Sequence, residues 1–205
     1  MANNEFKKMN IKNTVFAYVN LDKPRAWNAA ENKSMDVDPS HPKGKWSITW
    51  LLSAEEAADF AKECKKHFAE CKKANPKISE FGAVHGLKKR DDGTFEVTAS
   101  RNCMSSKGTL NKPVKLIDTY GEEIKDRDVY GGSKGTAAFS AFPANNPSTG
   151  KWGISLGLNV VQITERVEGS GVDPDVFDIA EKPKNDDDPF GLPDVKPDLN
   201  DEIPF

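Results

Sequence analysis

Histidine and cysteine are both scarce in this sequence, three of each among 205 residues, and the scarcity removes several kinds of chemistry. His41, His67 and His85 stand in three different local settings, so none has a catalytic partner beside it in the chain. GxSxG, Walker A, GxGxxG and HExxH patterns are all missing, and with them the common hydrolase, nucleotide and metalloprotease sites. An odd number of cysteines in a chain of this size argues for reduced thiols and against a disulfide framework. Cys64 and Cys71, seven residues apart in a helical stretch, are separated by about 10 Å of rise, beyond the reach of a disulfide. No window approaches the roughly 18 consecutive apolar residues of a membrane-spanning helix, and the start Met-Ala-Asn-Asn-Glu has no signal-like apolar run. The expectation is a cytoplasmic protein that is not an enzyme and does not engage a membrane.

What the chain does have is charge, unevenly spread. Through Arg166 there are 26 Lys and Arg against 20 Asp and Glu, a net of +6, whereas from Val167 onward 3 Lys face 12 acids, a net of −9. A near-neutral total therefore conceals a basic body and an acidic tail, the asymmetry expected of a polyanion binder carrying a polyanion mimic. Residues 1–166 are read as one domain. Residues 167–205, rich in Pro, Asp and Asn, are read as a disordered acidic tail, with one last turn expected at Val172–Phe177.

Along the body the pattern is mainly β. From Ile11 to Leu21 the sequence alternates, which assigns Ile11, Val15, Ala17, Val19 and Leu21 to one face and leaves Phe16 and Tyr18 on the other. Those two aromatics are either covered by a second layer or form a platform for bases. Residues 22–43 read as a long loop, in which Arg25 and Trp27 are placed to hold a phosphate and stack a base. Lys45–Leu52 is a strand whose Trp46, Ile48, Trp50 and Leu52 face the core. Ser53-Ala-Glu-Glu56 is a capping box that starts a helix running to about Ala74, ended by Asn75-Pro76.

The helix carries an apolar stripe of Ala57, Phe60, Ala61, Cys64, Phe68 and Cys71. Cys64, His67 and Cys71 also fall at a spacing that suits three zinc ligands, but the same positions continue the stripe, and no cofactor or metal is expected. A hairpin follows between Ile78 and Asn102, turning at Asp91-Asp92-Gly93. It places Lys88, Lys89 and Arg90 near its tip and Arg101 at the far end of its return strand, where they would track phosphates. Val114–Ile117 makes a short strand, and Lys134–Phe142 and Lys151–Ile163 make a closing pair in which Gly153 and Gly157 mark bends or close approaches. Short strands, turn-rich loops and one inserted helix add up to an OB-fold-like antiparallel barrel.

The last five residues, Asp201, Glu202, Ile203, Pro204 and Phe205, form an apolar tip on an acidic stem and cannot be core, because the acids around it would be buried unpaired. This ending resembles the acidic, Pro-Phe-terminated tip of bacterial single-stranded DNA-binding proteins. Gly157-Leu-Asn-Val-Val-Gln162, and Tyr130-Gly-Gly with the strand after it, are similar to segments of a phage family of single-stranded DNA-binding proteins about this long. The resemblance implies an OB-fold replication protein of phage type, acting in the host cytoplasm. Such a protein coats single-stranded DNA in replication, recombination or repair and recruits partner enzymes through its tip, which also competes with DNA for the binding groove. It adds Tyr130, Lys134, Lys151 and Trp152 to the expected nucleic-acid contacts. A homo-oligomer is left open. Two other readings remain: an adaptor whose acidic tail mimics nucleic acid without binding DNA, and a zinc-stabilised RNA-binding module.

Overall fold

The computed structural model describes residues 6–146 and 149–167. Among these described residues nine strands and one helix follow one another as β1 (Lys7–Asn28), β2 (Lys33–Asp36), β3 (Lys45–Leu52), α1 (Ala54–Ala74), β4 (Phe81–Val84), β5 (Leu87–Lys89), β6 (Phe95–Asn102), β7 (Lys115–Ile117), β8 (Lys134–Asn145) and β9 (Trp152–Glu165). β9 pairs with β8, β8 with β1, β1 with β3 and β3 with β6, each antiparallel. A parallel contact between Ser100 on β6 and Gly157 on β9 then closes the ring. The result is a closed five-stranded barrel, in keeping with the OB-fold-like barrel expected from the sequence, though its closing contact is parallel. The short strands attach outside it: β5 extends β6, β2 extends β1, and β4 and β7 lie parallel to the two ends of β9.

Period-two alternation fills the barrel. Trp46, Ile48, Trp50 and Leu52 from β3 meet Val97 and Ala99 from β6 and Phe139 and Ala141 from β8, all buried. Trp50 and Phe139 stack at 5.5 Å between ring centroids. Helix α1 packs against the same core. Its Ser53 hydroxyl accepts from the Glu56 amide while the Glu56 carboxylate accepts from the Ser53 amide, so the capping box is complete. Phe60 meets Phe139 edge-on, Phe68 meets Phe81, and His67 Nε2 donates to the Ala141 carbonyl.

β1 departs from the simple alternation. Asn13 takes the left-handed backbone (φ 50), and the pairing with β8 slips between Ile11 and Thr14. A bulge of this kind moves every following side chain to the opposite face. Phe16 is therefore fully buried, and Val15 stands 48% exposed. A second slip against β3, between Phe16 and Tyr18, reverses the phase again, so that Tyr18 faces out and Leu21 in. Phe16 is thus core and not a base platform, whereas Leu21 faces inward as the alternation required.

Residues 22–43 are not one long loop either. β1 continues to Asn28 and turns back into β2, with Arg25 opposite Asp36 and Trp27 opposite Ser34. Pro24, which has no amide to donate to a ladder, occupies the break in register between Asn20 and Arg25 against β3, the kind of place a sheet tolerates proline. Residues 29–32 make the turn between β1 and β2, and those after Asp36 remain a connecting loop, tied by the Asp38 carboxylate accepting from the Ser40 amide.

Truncating a large side chain at a fully buried site costs roughly 3–5 kcal/mol. Phe16→Ala is expected to lower the unfolding free energy by that amount in chemical denaturation, as a core position should and a solvent-facing platform should not.

Candidate nucleic-acid interface

The alternation that fills the barrel also determines what faces outward. With Val97 and Ala99 inside, β6 turns Thr98 and Ser100 out; with Phe139 and Ala141 inside, β8 turns Ser140 and Phe142 out. These residues line a groove of about 930 Å³ that runs over the seam where β6 meets β9. Its walls are rich in hydroxyls and amides: Thr98 shares a hydrogen bond with Thr49, and Asn159 donates to Ser140. Gly86 and Gly157 keep its floor low, the former because a Cβ there would approach the Thr98 carbonyl to 2.6 Å. Lys45, Arg101 and His85 supply its basic groups, and Phe6 and Phe142 its phenyl rings. Among the described residues no Asp or Glu lines it.

Arg101 is the one residue expected at a nucleic-acid interface that lines this groove. It is half-buried, with its Nε itself buried and without a hydrogen-bond partner among the described residues. Lys88, Lys89 and Arg90 occupy the β5–β6 tip as the turn chemistry required, but Asp91, Asp92 and Glu96 stand with them around a smaller hollow. Arg90 is ion-paired with Asp92 at 3.4 Å and Glu96 at 3.2 Å. Asp92 accepts from the Thr94 side chain and amide, which hold its carboxyl below the ordinary carboxylate range. Three cations at this tip therefore come with three acids. Tyr18, 52% exposed, stands beside Arg90, whose guanidinium pKa it helps to raise after Asp92.

The remaining expected contacts are dispersed. Arg25 is held within the β1–β2 arm by Asp36 at 3.2 Å and the Ser34 carbonyl at 2.9 Å, while Trp27 on the same arm is 60% exposed. Tyr130 walls a separate hollow of about 230 Å³ with Arg127. Lys134 is paired with Glu165 at 2.7 Å across the β8–β9 ladder. Lys151 is exposed, and Trp152, opposite Phe81 on β4, is half-buried against the core. Asp201, Glu202, Ile203, Pro204 and Phe205, and the turn expected at Val172–Phe177, lie outside the described residues.

No family model and no curated protein matches the chain. Solved structures do. Gp2.5, a single-stranded DNA-binding protein encoded by bacteriophage T7, aligns with a TM-score of 0.52 at 20% identity over 86% of this chain and 96% of its own. The single-stranded DNA-binding protein of bacteriophage Enc34, solved in complex with single-stranded DNA, aligns with a TM-score of 0.54 at 16% identity, covering 80% of this chain and 89% of its own. The chain has the fold of phage single-stranded DNA-binding proteins.

Within that fold the three soft side chains on α1 face inward. Cys64, His67 and Cys71 are all buried in the core, and burial followed by the neighbouring Glu63 pushes the Cys64 thiol up to about 12. Among the described residues no three His, Cys, Asp or Glu side chains converge as a metal set. Among the described residues, too, no helix is long and apolar enough to cross a membrane.

The groove residues that sequence reasoning missed are Phe6, Lys45, Phe142 and the hydroxyl row. The signal for Phe142 was present in β8: once Phe139 and Ala141 are assigned inward, Phe142 must face out. Exposure also separates the aromatics that were grouped together. Tyr18→Ala and Trp27→Ala are expected to shift stability by no more than about 0.5 kcal/mol, as surface substitutions do. Trp152→Ala, which removes a half-buried ring from the core margin, is expected to lower the melting temperature clearly in the same thermal scan.

Proposed function

We propose that this chain binds single-stranded DNA without regard to sequence, coats it during phage replication, recombination or repair, and brings in partner enzymes through its C-terminal tip. The observation that carries this reading is the groove over the barrel seam: basic and aromatic groups line it and, among the described residues, no carboxylate does. Carboxylates are not rare elsewhere on the body; the two smaller hollows contain Asp22, Asp36 and Asp128 in one and Asp91, Asp92 and Glu96 in the other. Likeness of fold to two phage proteins named for single-stranded DNA, one of them solved with it bound, supports the same assignment. Hydroxyl and amide groups hydrogen-bond phosphate and sugar irrespective of base, and aromatic rings stack on any base.

Oligo-dT titration followed by tryptophan emission and by anisotropy of a labelled oligonucleotide tests it. Binding is expected, with an affinity that falls as salt rises by about 0.7 in log–log slope for each phosphate neutralised. Trp46 and Trp50 are fully buried, Trp152 is half-buried and Trp27 stands on the β1–β2 arm outside the groove, so anisotropy is the deciding reading and any quenching lost in Trp27→Phe reports a strand that also reaches that arm. Affinity independent of salt would sink the electrostatic part of the reading. Unchanged emission and anisotropy together would sink all of it and leave the adaptor that mimics nucleic acid.

The tail's role follows from its charge. A segment of net −9 joined to a body of +6 competes with DNA for the same basic surface at high effective concentration. Removal of residues 167–205 is expected to tighten binding to oligo-dT, most at low salt, and weaker binding by the truncated protein would assign the tail to the binding surface instead. Removal of Phe205 alone changes little charge, so DNA affinity should stay constant while pull-down of replication enzymes is lost.

A further inference from the structure

The phenyl rings that line the groove belong to Phe6 and Phe142, neither of which the sequence pattern marks as a ligand contact. Phe142 is turned outward because its neighbours Phe139 and Ala141 are turned in. It rests on β9 at Gly157, where an added Cβ would stand 3.1 Å from one ring carbon and 3.9 Å from the next. A glycine at that position lets the ring lie against the strand, and the ring remains half-buried. Phe6 leans over it with 5.3 Å between centroids and a 45° tilt, and is itself 56% exposed. Two rings in contact that still leave this much surface open, inside a groove otherwise walled by polar groups, fit the pattern of a ligand contact better than that of a core.

Charge is placed next to them. Lys8 follows Phe6 by two residues, is exposed, and lies opposite Ser140, another groove residue. Its neighbour Lys7 points the other way and is engaged by Glu63 of α1 at 2.8 Å. Lys8 itself has no ion pair among the described residues. A ring for a base and a free ammonium one strand away form the pair of contacts that one nucleotide requires.

We propose that a base of the bound strand stacks on Phe142, with Phe6 closing against it and Lys8 meeting an adjacent phosphate. This deepens the single-stranded DNA reading and rests on it. The aromatic pair supplies affinity that salt does not screen, and Lys8 supplies part of what salt does screen.

The test is anisotropy with labelled oligo-dT at several salt concentrations, on the full chain and on Phe142→Leu, Phe142→Trp and Lys8→Ala, with thermal unfolding of each. Leucine keeps apolar volume and removes the π face, so Phe142→Leu is expected to stay folded and to bind about 5- to 150-fold more weakly at every salt, with the salt slope unchanged. Phe142→Trp is expected to bind within a few-fold of the parent and to report contact through quenching of its new indole. Lys8→Ala is expected to reduce the slope by about 0.7, the value for one phosphate of a single strand. A ring that merely packs would give the opposite ranking, leucine tolerated and tryptophan not. A folded Phe142→Leu protein that binds like the parent overturns the stacking assignment alone. A parent that does not bind oligo-dT overturns the single-stranded DNA reading, and this inference with it.

Discussion

Closure of the barrel at Ser100 and Gly157 is the constraint on which the other features depend. One edge of β9 is shared in succession by β4 at residues 152–154, by β6 at Gly157 and by β7 at residues 160–162, always in parallel. Backbones must come very close for one strand to serve three partners, and the glycines stand where they do. A Cβ at Gly153 would fall on the Ala83 carbonyl oxygen of β4, and on the other edge of β9 one at Gly135 of β8 would fall on that of Gln162. Larger residues at these points would force the strands apart, and with the seam open there would be neither an enclosed core nor a groove above it.

Features governed by chemistry within a few residues were legible in the sequence. The Ser53 capping box, the stop at Asn75, and the Asp-Gly turn whose Gly93 takes φ +85 each appear where the residues required. The barrel and the pairing of β8 with β9 were legible too, because alternation over a dozen residues has a single interpretation. β1 failed that test for a physical reason. Its apolar residues obey period two only between bulges, and an asparagine at position 13 gives no warning in the pattern that the phase is about to change. Proline at position 24 misled in the other direction: it reads as a loop signal, yet here it occupies a gap in pairing and the strand continues past it.

The interface was less legible than the fold, and the cause is neighbours that are distant in sequence. Lys88, Lys89 and Arg90 look like a basic cluster until the register places Glu96 opposite Lys88 and the turn brings Asp92 onto Arg90. Lys134 loses its apparent freedom to Glu165 in the same way. Conversely, Thr98, Ser100, Ser140 and Asn159 carry no periodic or charge signal of their own. They become a surface only when β6, β8 and β9 meet around the seam. Arg101 is common to both views because it lies at the end of a strand, where position along the chain already indicated position in space.

What distinguishes the groove is less its cations, of which it has few, than its lack of carboxylates. Two opposite unit charges 4 Å apart attract by about 1 kcal/mol in water and about 4 at the effective dielectric near a protein surface, and two like charges repel by as much. One misplaced Asp would therefore cancel one Lys. In a body with 20 acids, a groove lined by none of the described ones keeps the full value of Lys45 and Arg101 for a polyanion, whereas the hairpin tip, with more cations, spends them on its own acids. Few uncancelled cations also leave room for stacking and hydroxyl contacts to contribute a comparable share. For the strand binding proposed above, a surface of that kind favours a flexible single strand, whose bases can turn toward it, over a duplex, whose bases cannot.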